Sequence, residues 1–163
     1  MSRQWRAGLF HSLAVVSTIS RVSGNITLQG LVSGAPARTV TFTPTSGSPF
    51  TQTVSIGANG IYSFAGIPAG SYSVRLTSVK YLASTVNVTV LPGETTTLNA
   101  TLKAGDANND NAADIRDLLL LIAHYNQVAP SNDYSEACDF NSDDRNDIAD
   151  LLLIIANYNQ IGN

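Results

Sequence analysis

The sequence predicts a mainly β chain with a small all-α end: a seven-stranded β-sandwich over residues 21–103, then a small helical unit over 104–163, behind a leader segment over 1–20. Three observations carry that prediction. Residues 21–103 are rich in Val, Thr, Ser and Tyr and break into short alternating runs about every ten residues, with Gly and Pro between them. Residues 106–127 return as 139–160, an offset of 33, with 14 of 22 positions identical. Charge is divided between the halves: over residues 21–104, Arg21, Arg38, Arg75, Lys80 and Lys103 stand against Glu94 alone, whereas over 105–163 eleven acids face only Arg116 and Arg145. Such asymmetry marks two units with different tasks.

The totals exclude several classes of function. At 163 residues and net charge −3, the chain suits one medium domain or two small ones. No cluster of Lys and Arg could neutralise phosphates, so nucleic acid is not expected as a partner. No run approaches the 18 or so apolar residues of a membrane span, so no membrane span is expected. The single cysteine, Cys138, excludes an intrachain disulfide and reads as a small buried apolar residue.

In chain order, Arg3 and Arg6 precede an apolar run over Gly8–Val16, as in a signal peptide. His11 and Ser12 interrupt it and no small-x-small cleavage site follows, so a disordered leader or the stub of a longer reading frame is the other reading. The expected strands are Val22–Leu31, Thr39–Thr43, Thr51–Ile56, Ile61–Phe64, Ser71–Ser78, Ser84–Leu91 and Thr95–Leu102. Alternation places Tyr72, Val74 and Leu76 on one face, then Val86, Val88 and Val90, then Leu98, Ala100 and Leu102. Asn59-Gly60 is a hairpin turn signal and Pro92-Gly93 marks another turn.

The repeat begins with two twelve-residue loops, DANNDNAADIRD from Asp106 and DFNSDDRNDIAD from Asp139. Each places side-chain oxygens at positions 1, 3, 5, 9 and 12. These are Asp106, Asn108, Asp110, Asp114 and Asp117 in loop 1, and Asp139, Asn141, Asp143, Asp147 and Asp150 in loop 2. Position 7, Ala112 or Arg145, need supply only its backbone oxygen. Calcium takes about six to eight oxygen ligands, and this spacing provides them twice, so two calcium ions (Ca2+) are expected. With no His or Cys at these positions, zinc and copper do not fit. Position 6 holds Asn111 and Asp144 where a calcium loop of the EF-hand type uses Gly, and both residue types tolerate a left-handed turn. Helices are expected over Leu118–Tyr125 and Leu151–Tyr158, each starting inside its loop, joined by a connector with one short helical turn. These helices are apolar around most of their circumference, so one side should meet the sister helix and another the sandwich or a second protein.

A loop followed only by its exiting helix, present twice, resembles the dockerin family. Gly105-Asp106-Ala107-Asn108-Asn109-Asp110 through Asp117-Leu118-Leu119 fits that family's pattern; Cys138 stands in place of Gly before the second copy. The stretch from Asn59 to Val74, NGIYSFAGIPAGSYSV, is similar to carboxypeptidase regulatory-like domains, relatives of the Cna B-type and transthyretin-like sandwiches. The first resemblance implies a calcium-dependent docking module that binds a cohesin-like domain, in an extracellular, polysaccharide-degrading, cellulosome-like assembly. It also implies contacts from loop positions 10 and 11, here Ile115, Arg116, Ile148 and Ala149, where Ser-Thr is commoner. The second implies a spacer without peptidase chemistry. No enzyme activity is expected, because the carboxylates lie where metal would occupy them and no nucleophile–base set exists. Two other readings stand beside docking. The calcium pair would merely stiffen a secreted or cell-surface protein, its helices packed on the sandwich, or the sandwich would bind carbohydrate, directly or through associated modules.

Overall fold

The computed structural model describes residues 19–163, and the leader expected over 1–20 lies almost wholly outside them. The sandwich contains nine strands: β1 (Arg21–Leu28), β2 (Arg38–Ser46), β3 (Gln52–Ile56), β4 (Ile61–Ala65), β5 (Gly70–Ser78), β6 (Lys80–Val90), β7 (Thr95–Thr97), β8 (Ala100–Leu102) and β9 (Ala104–Asp106). One sheet runs β4-β1-β7, with β8 also on β1; the other runs β3-β2-β5-β6-β9. Alternation does what period 2 requires: Val40 and Phe42, Tyr62 and Phe64, and Tyr72, Val74 and Leu76 all point into the core. Phe42 sits 5.0 Å from Tyr62 and 5.1 Å from Phe64, ring centre to ring centre, and these three fill the middle of the sandwich.

The expected strands exist, with three differences. The run Thr95–Leu102 is broken at Leu98-Asn99 into β7 and β8, both parallel to β1. Here the Leu98 carbonyl accepts the buried Tyr62 hydroxyl at 2.7 Å, and Asn99 Oδ1 accepts the Asn25 amide at 2.8 Å. Gly24 lies opposite, where any Cβ would collide with the Leu98 carbonyl. The sixth strand starts at Lys80, four residues before Ser84, because Lys80–Ala83 are buried against the helical unit rather than looping outside. The third difference is β9, an added strand whose last residue is Asp106, so the first acidic loop begins inside the sandwich's own sheet.

The second unit consists of β10 (Ala112–Ala113), α1 (Ile115–Ala123), β11 (Gln127–Val128), a short 3-10 turn (Glu136–Cys138), β12 (Arg145–Asn146), α2 (Ile148–Asn157) and β13 (Gln160–Ile161). Its two-fold character is visible in the pairing. Loop 1 pairs with the tail after α2 (Ala112 with Ile161, Ala113 with Gln160), and loop 2 with the tail after α1 (Arg145 with Val128, Asn146 with Gln127). Those partners are related by the same offset of 33 as the sequence repeat. Both helices start three residues earlier than the apolar runs alone indicate, because Asp114 and Asp147 act as N-caps.

The two units share one core. Leu121, Cys138, Phe140 and Ile154 of the second unit belong to the same buried cluster as the sandwich residues. Asn157 on α2 donates to the Ala104 carbonyl at 2.7 Å and to Gln29 Oε1 at 2.6 Å. Glycine is required at Gly30, whose φ is +86° and whose missing Cβ leaves space for Leu153 of α2.

Candidate metal loops and exposed helix faces

Each loop is wound by its own short side chains. In loop 1 the Asp106 carboxylate accepts the amides of Asp110 and Asn111, both at 2.9 Å. Asn108 Oδ1 accepts the Asp110 amide at 2.9 Å, and Asp110 Oδ1 the Ala112 amide at 3.0 Å. Loop 2 repeats this: Asp139 accepts from Ser142, Asp143 and Asp144 at 2.6–3.2 Å, Asn141 Oδ1 from Asp143 at 3.0 Å, and Asp143 Oδ1 from Arg145 at 3.0 Å. Such a winding needs residues in the left-handed region, and these are Asn109 (φ 58°) and Asn111 (68°), then Ser142 (61°) and Asp144 (66°). Asn and Asp carry that strain at low cost, which is why position 6 functions without Gly.

The last two carboxylates of each loop close a capping box. Asp114 Oδ1 accepts the Arg116 amide at 2.7 Å while Asp117 Oδ2 accepts the Asp114 amide at 2.8 Å. In loop 2, Asp147 Oδ1 accepts the Ala149 amide at 2.8 Å and Asp150 Oδ2 the Asp147 amide at 3.0 Å. The other oxygen of each position-12 Asp reaches back across the loop, Asp117 to the Asn108 amide at 3.2 Å and Asp150 to the Phe140 amide at 2.8 Å. Position 12 is therefore brought beside positions 2 and 3, although nine or ten residues separate them.

Burial makes two of the loop carboxylates reluctant anions. Asp106 and Asp150 are each pushed up to about 6, chiefly by desolvation, and the amides donated to them offset only part of that. Asp110 is held below its ordinary value, first by the Asn108 side-chain amide. Among the described residues, no three His, Cys, Asp or Glu side chains are drawn together as a preformed metal cluster. The donor set is instead mixed, with carboxylates, Asn amide oxygens and a backbone carbonyl at position 7. That chemistry suits a hard cation and not a thiophilic one.

The four residues expected at positions 10 and 11 separate. Ile115, Arg116 and Ile148 are exposed and Ala149 is half-buried. Arg116 lies 3.4 Å from both Asp110 and Asp114, an exposed arrangement that adds little to stability. The exposed apolar surface extends beyond these four residues. Leu119 (57% exposed) and Ile122 (58%) continue the stripe from Ile115, and Leu152 (58%) and Ile155 (56%) continue it from Ile148. Their spacing, i, i+4 and i+7, is one helix face, and every member has its counterpart 33 residues on. That spacing was available in the sequence, masked by the inward Leu118, Leu121, Leu151 and Ile154 in the same runs. The helices thus bury one face, against each other and the sandwich, and leave the other in solvent.

Fold and site together define a class: a β-sandwich fused to a duplicated module in which each acidic loop feeds one helix. Residues 21–103 match the carboxypeptidase regulatory-like domain, and residues 104–159 match the dockerin type I domain. The chain belongs to the carboxypeptidase regulatory-like family and carries a dockerin module behind that domain. No curated protein matches it. Its fold is similar to a chain in the crystal structure of a C-terminal interface mutant of a type II cohesin–X–dockerin complex from Acetivibrio cellulolyticus, at TM-score 0.75 and 23% identity, covering 88% of this chain and 97% of that one. The N-terminal interface mutant of the same complex aligns at TM-score 0.73 and 21% identity, over the same 88% and 97%.

Proposed function

We propose that residues 104–163 are a calcium-dependent docking module whose partner is a cohesin-type domain, and that the sandwich presents it. The observation that carries this is the pair of matching exposed stripes, Ile115-Leu119-Ile122 and Ile148-Leu152-Ile155. An apolar face repeated on two helices of a water-exposed module is what a partner covers. The chains of similar fold come from cohesin–X–dockerin complexes, which supports the same reading.

Two calcium ions would be held by Asp106, Asn108, Asp110, the Ala112 carbonyl, Asp114 and Asp117, and by Asp139, Asn141, Asp143, the Arg145 carbonyl, Asp147 and Asp150. Bound there, calcium supplies neutralisation of the clustered carboxylates. The chain's own residues do the rest. Asp114 and Asp147 start the helices, the β10–β13 and β11–β12 pairs tie each loop to the tail beyond the other helix, and the shared core aims both helices outward. Neither unit is proposed to catalyse; the assembly served would be extracellular and polysaccharide-degrading.

The test is binding to immobilised type I and type II cohesins, with calcium and with chelator. The Leu119→Asp/Leu152→Asp double variant should lose binding at least about a hundredfold, because each buried Leu is worth roughly 1.5–3 kcal/mol. Stiffening without docking is favoured by one observation, the seating of α2 on the sandwich through Asn157 and Leu153. In that case calcium would raise the melting temperature while neither cohesin bound. An aromatic carbohydrate platform has no support on the sandwich, since Tyr62, Tyr72 and Tyr81 are all buried.

A further inference from the structure

One residue of the sandwich reaches the first position of both loops. Lys80, at the start of β6, pairs with Asp106 in the sheet, and its Nζ donates to the Asp139 carbonyl at 2.9 Å. It is 4% exposed and holds a φ of +72°, so the backbone is bent to bring it there. Arg38 stands beside it: Nη1 meets Glu136 Oε1 at 2.9 Å, Nη2 donates to Ser142 Oγ, and Lys80 Nζ lies 3.8 Å from the same Glu136 oxygen. Two sandwich cations therefore converge on loop 2. The sandwich's hydrogen bonds to loop 1 come from neutral groups, the Lys80 amide on Asn109 Oδ1 at 2.9 Å and the Ala83 amide on Asn111 Oδ1 at 2.8 Å.

A second difference runs the same way. The Asp139 carboxylate already accepts four donors, three amides and the Tyr134 hydroxyl at 2.8 Å. Asp106 accepts two. The Val32 amide also donates to the Asn141 carbonyl at 2.9 Å, and Asn141 is buried where its counterpart Asn108 is exposed. Loop 2 is held by more protein contacts than loop 1.

Resting on the calcium reading, we propose that the two loops are unequal by construction: Lys80 and Arg38 hold loop 2 in shape without an ion and repel one that enters. Loop 2 is then the weaker site, the first to empty, and it keeps its fold when empty. Loop 1 binds more tightly and depends on its ion. The physical basis is a fixed, poorly solvated positive charge facing a dication, only partly compensated by the exposed Glu136.

The measurement is calcium calorimetry on the full chain, with Asp143→Ala leaving loop 1 and Asp106→Ala leaving loop 2. Loop 2 should be weaker by about tenfold or more. Lys80→Met keeps the aliphatic stem and removes the charge; it should tighten loop 2 by a similar factor, leave loop 1 unchanged, and lower the melting temperature in chelator. A scaffold role alone would weaken binding and stability together, so opposite signs are the signature. Glu136→Gln, at an exposed position, supplies the check if Lys80→Met folds poorly: with Lys80 less compensated, loop 2 should weaken several-fold further while loop 1 stays as it was. Equal affinities, or a Lys80→Met variant with a weakened loop 2, would overturn the inference and leave the calcium reading standing. A wild-type stoichiometry of zero would overturn both.

Discussion

Phe140→Ala tests whether the sandwich and the docking module are one cooperative body. Phe140 is the second residue of loop 2, yet it is fully buried in the cluster that includes the sandwich core. Its carbonyl accepts the Tyr81 hydroxyl of β6 at 3.1 Å. Truncating a buried Phe to Ala costs roughly 3–5 kcal/mol, the transfer cost plus that of the cavity left behind. Complete burial and a rigid sheet on one side place this site toward the upper end. For a chain of this size, 1 kcal/mol moves the midpoint by about 2–4 °C, so the melting temperature should fall by about 6–20 °C. The assay is differential scanning calorimetry in saturating calcium, with circular dichroism followed at a strand-sensitive and a helix-sensitive wavelength. A single transition is expected for the parent, and both signals should shift together in the variant. Two parent transitions, with Phe140→Ala moving only the helical one, would refute a shared core.

Gly162→Ala should cost about 1–3 kcal/mol, because a Cβ there would land on Asn111 Oδ1 and on the Ala83 backbone amide; thermal melting checks it. Asn157→Ala leaves the Ala104 carbonyl and Gln29 Oε1 without their shared donor and should cost about 1–3 kcal/mol by urea unfolding, with no change in slope if the cooperative unit is intact. Calorimetry on the parent should return two calcium ions per chain and on Asp106→Ala one; a parent value of zero would sink the metal reading. Ile115→Asp and Ile148→Asp, singly and together, separate one docking orientation from two. If either helix can lead, each single variant binds nearly as the parent does and the double loses binding; if one single variant abolishes it, there is one orientation.

Features that depend on short-range regularity can be read from the residues directly. Period-2 alternation located the strands and put Tyr72, Val74 and Leu76 on the core face, since a strand has only two faces. The offset of 33 and the oxygen spacing located both loops, since twelve consecutive residues suffice to wind one. Apolar runs located the helices but not their first turns, because the Asp114 and Asp147 caps look in sequence like further ligands. They also hid which face stays in water, because Leu at every position of Leu118–Leu121 erases the contrast that a moment requires.

How the units meet depends on contacts between segments far apart in the chain. Nothing near Lys80 in the chain indicates that its ammonium will seat on Asp139, 59 residues away, or that Arg38 will reach Ser142 across 104. Those pairings exist because β9 extends the sandwich sheet directly into loop 1, which places the second repeat against β6 and the turn before β2. The break at Leu98-Asn99 has the same origin: Tyr62 and Gly24 impose it from two other strands. A local pattern can be read wherever neighbouring residues determine the conformation. A buried ion contact depends on which distant segments share a core, and that is set only when the whole chain closes.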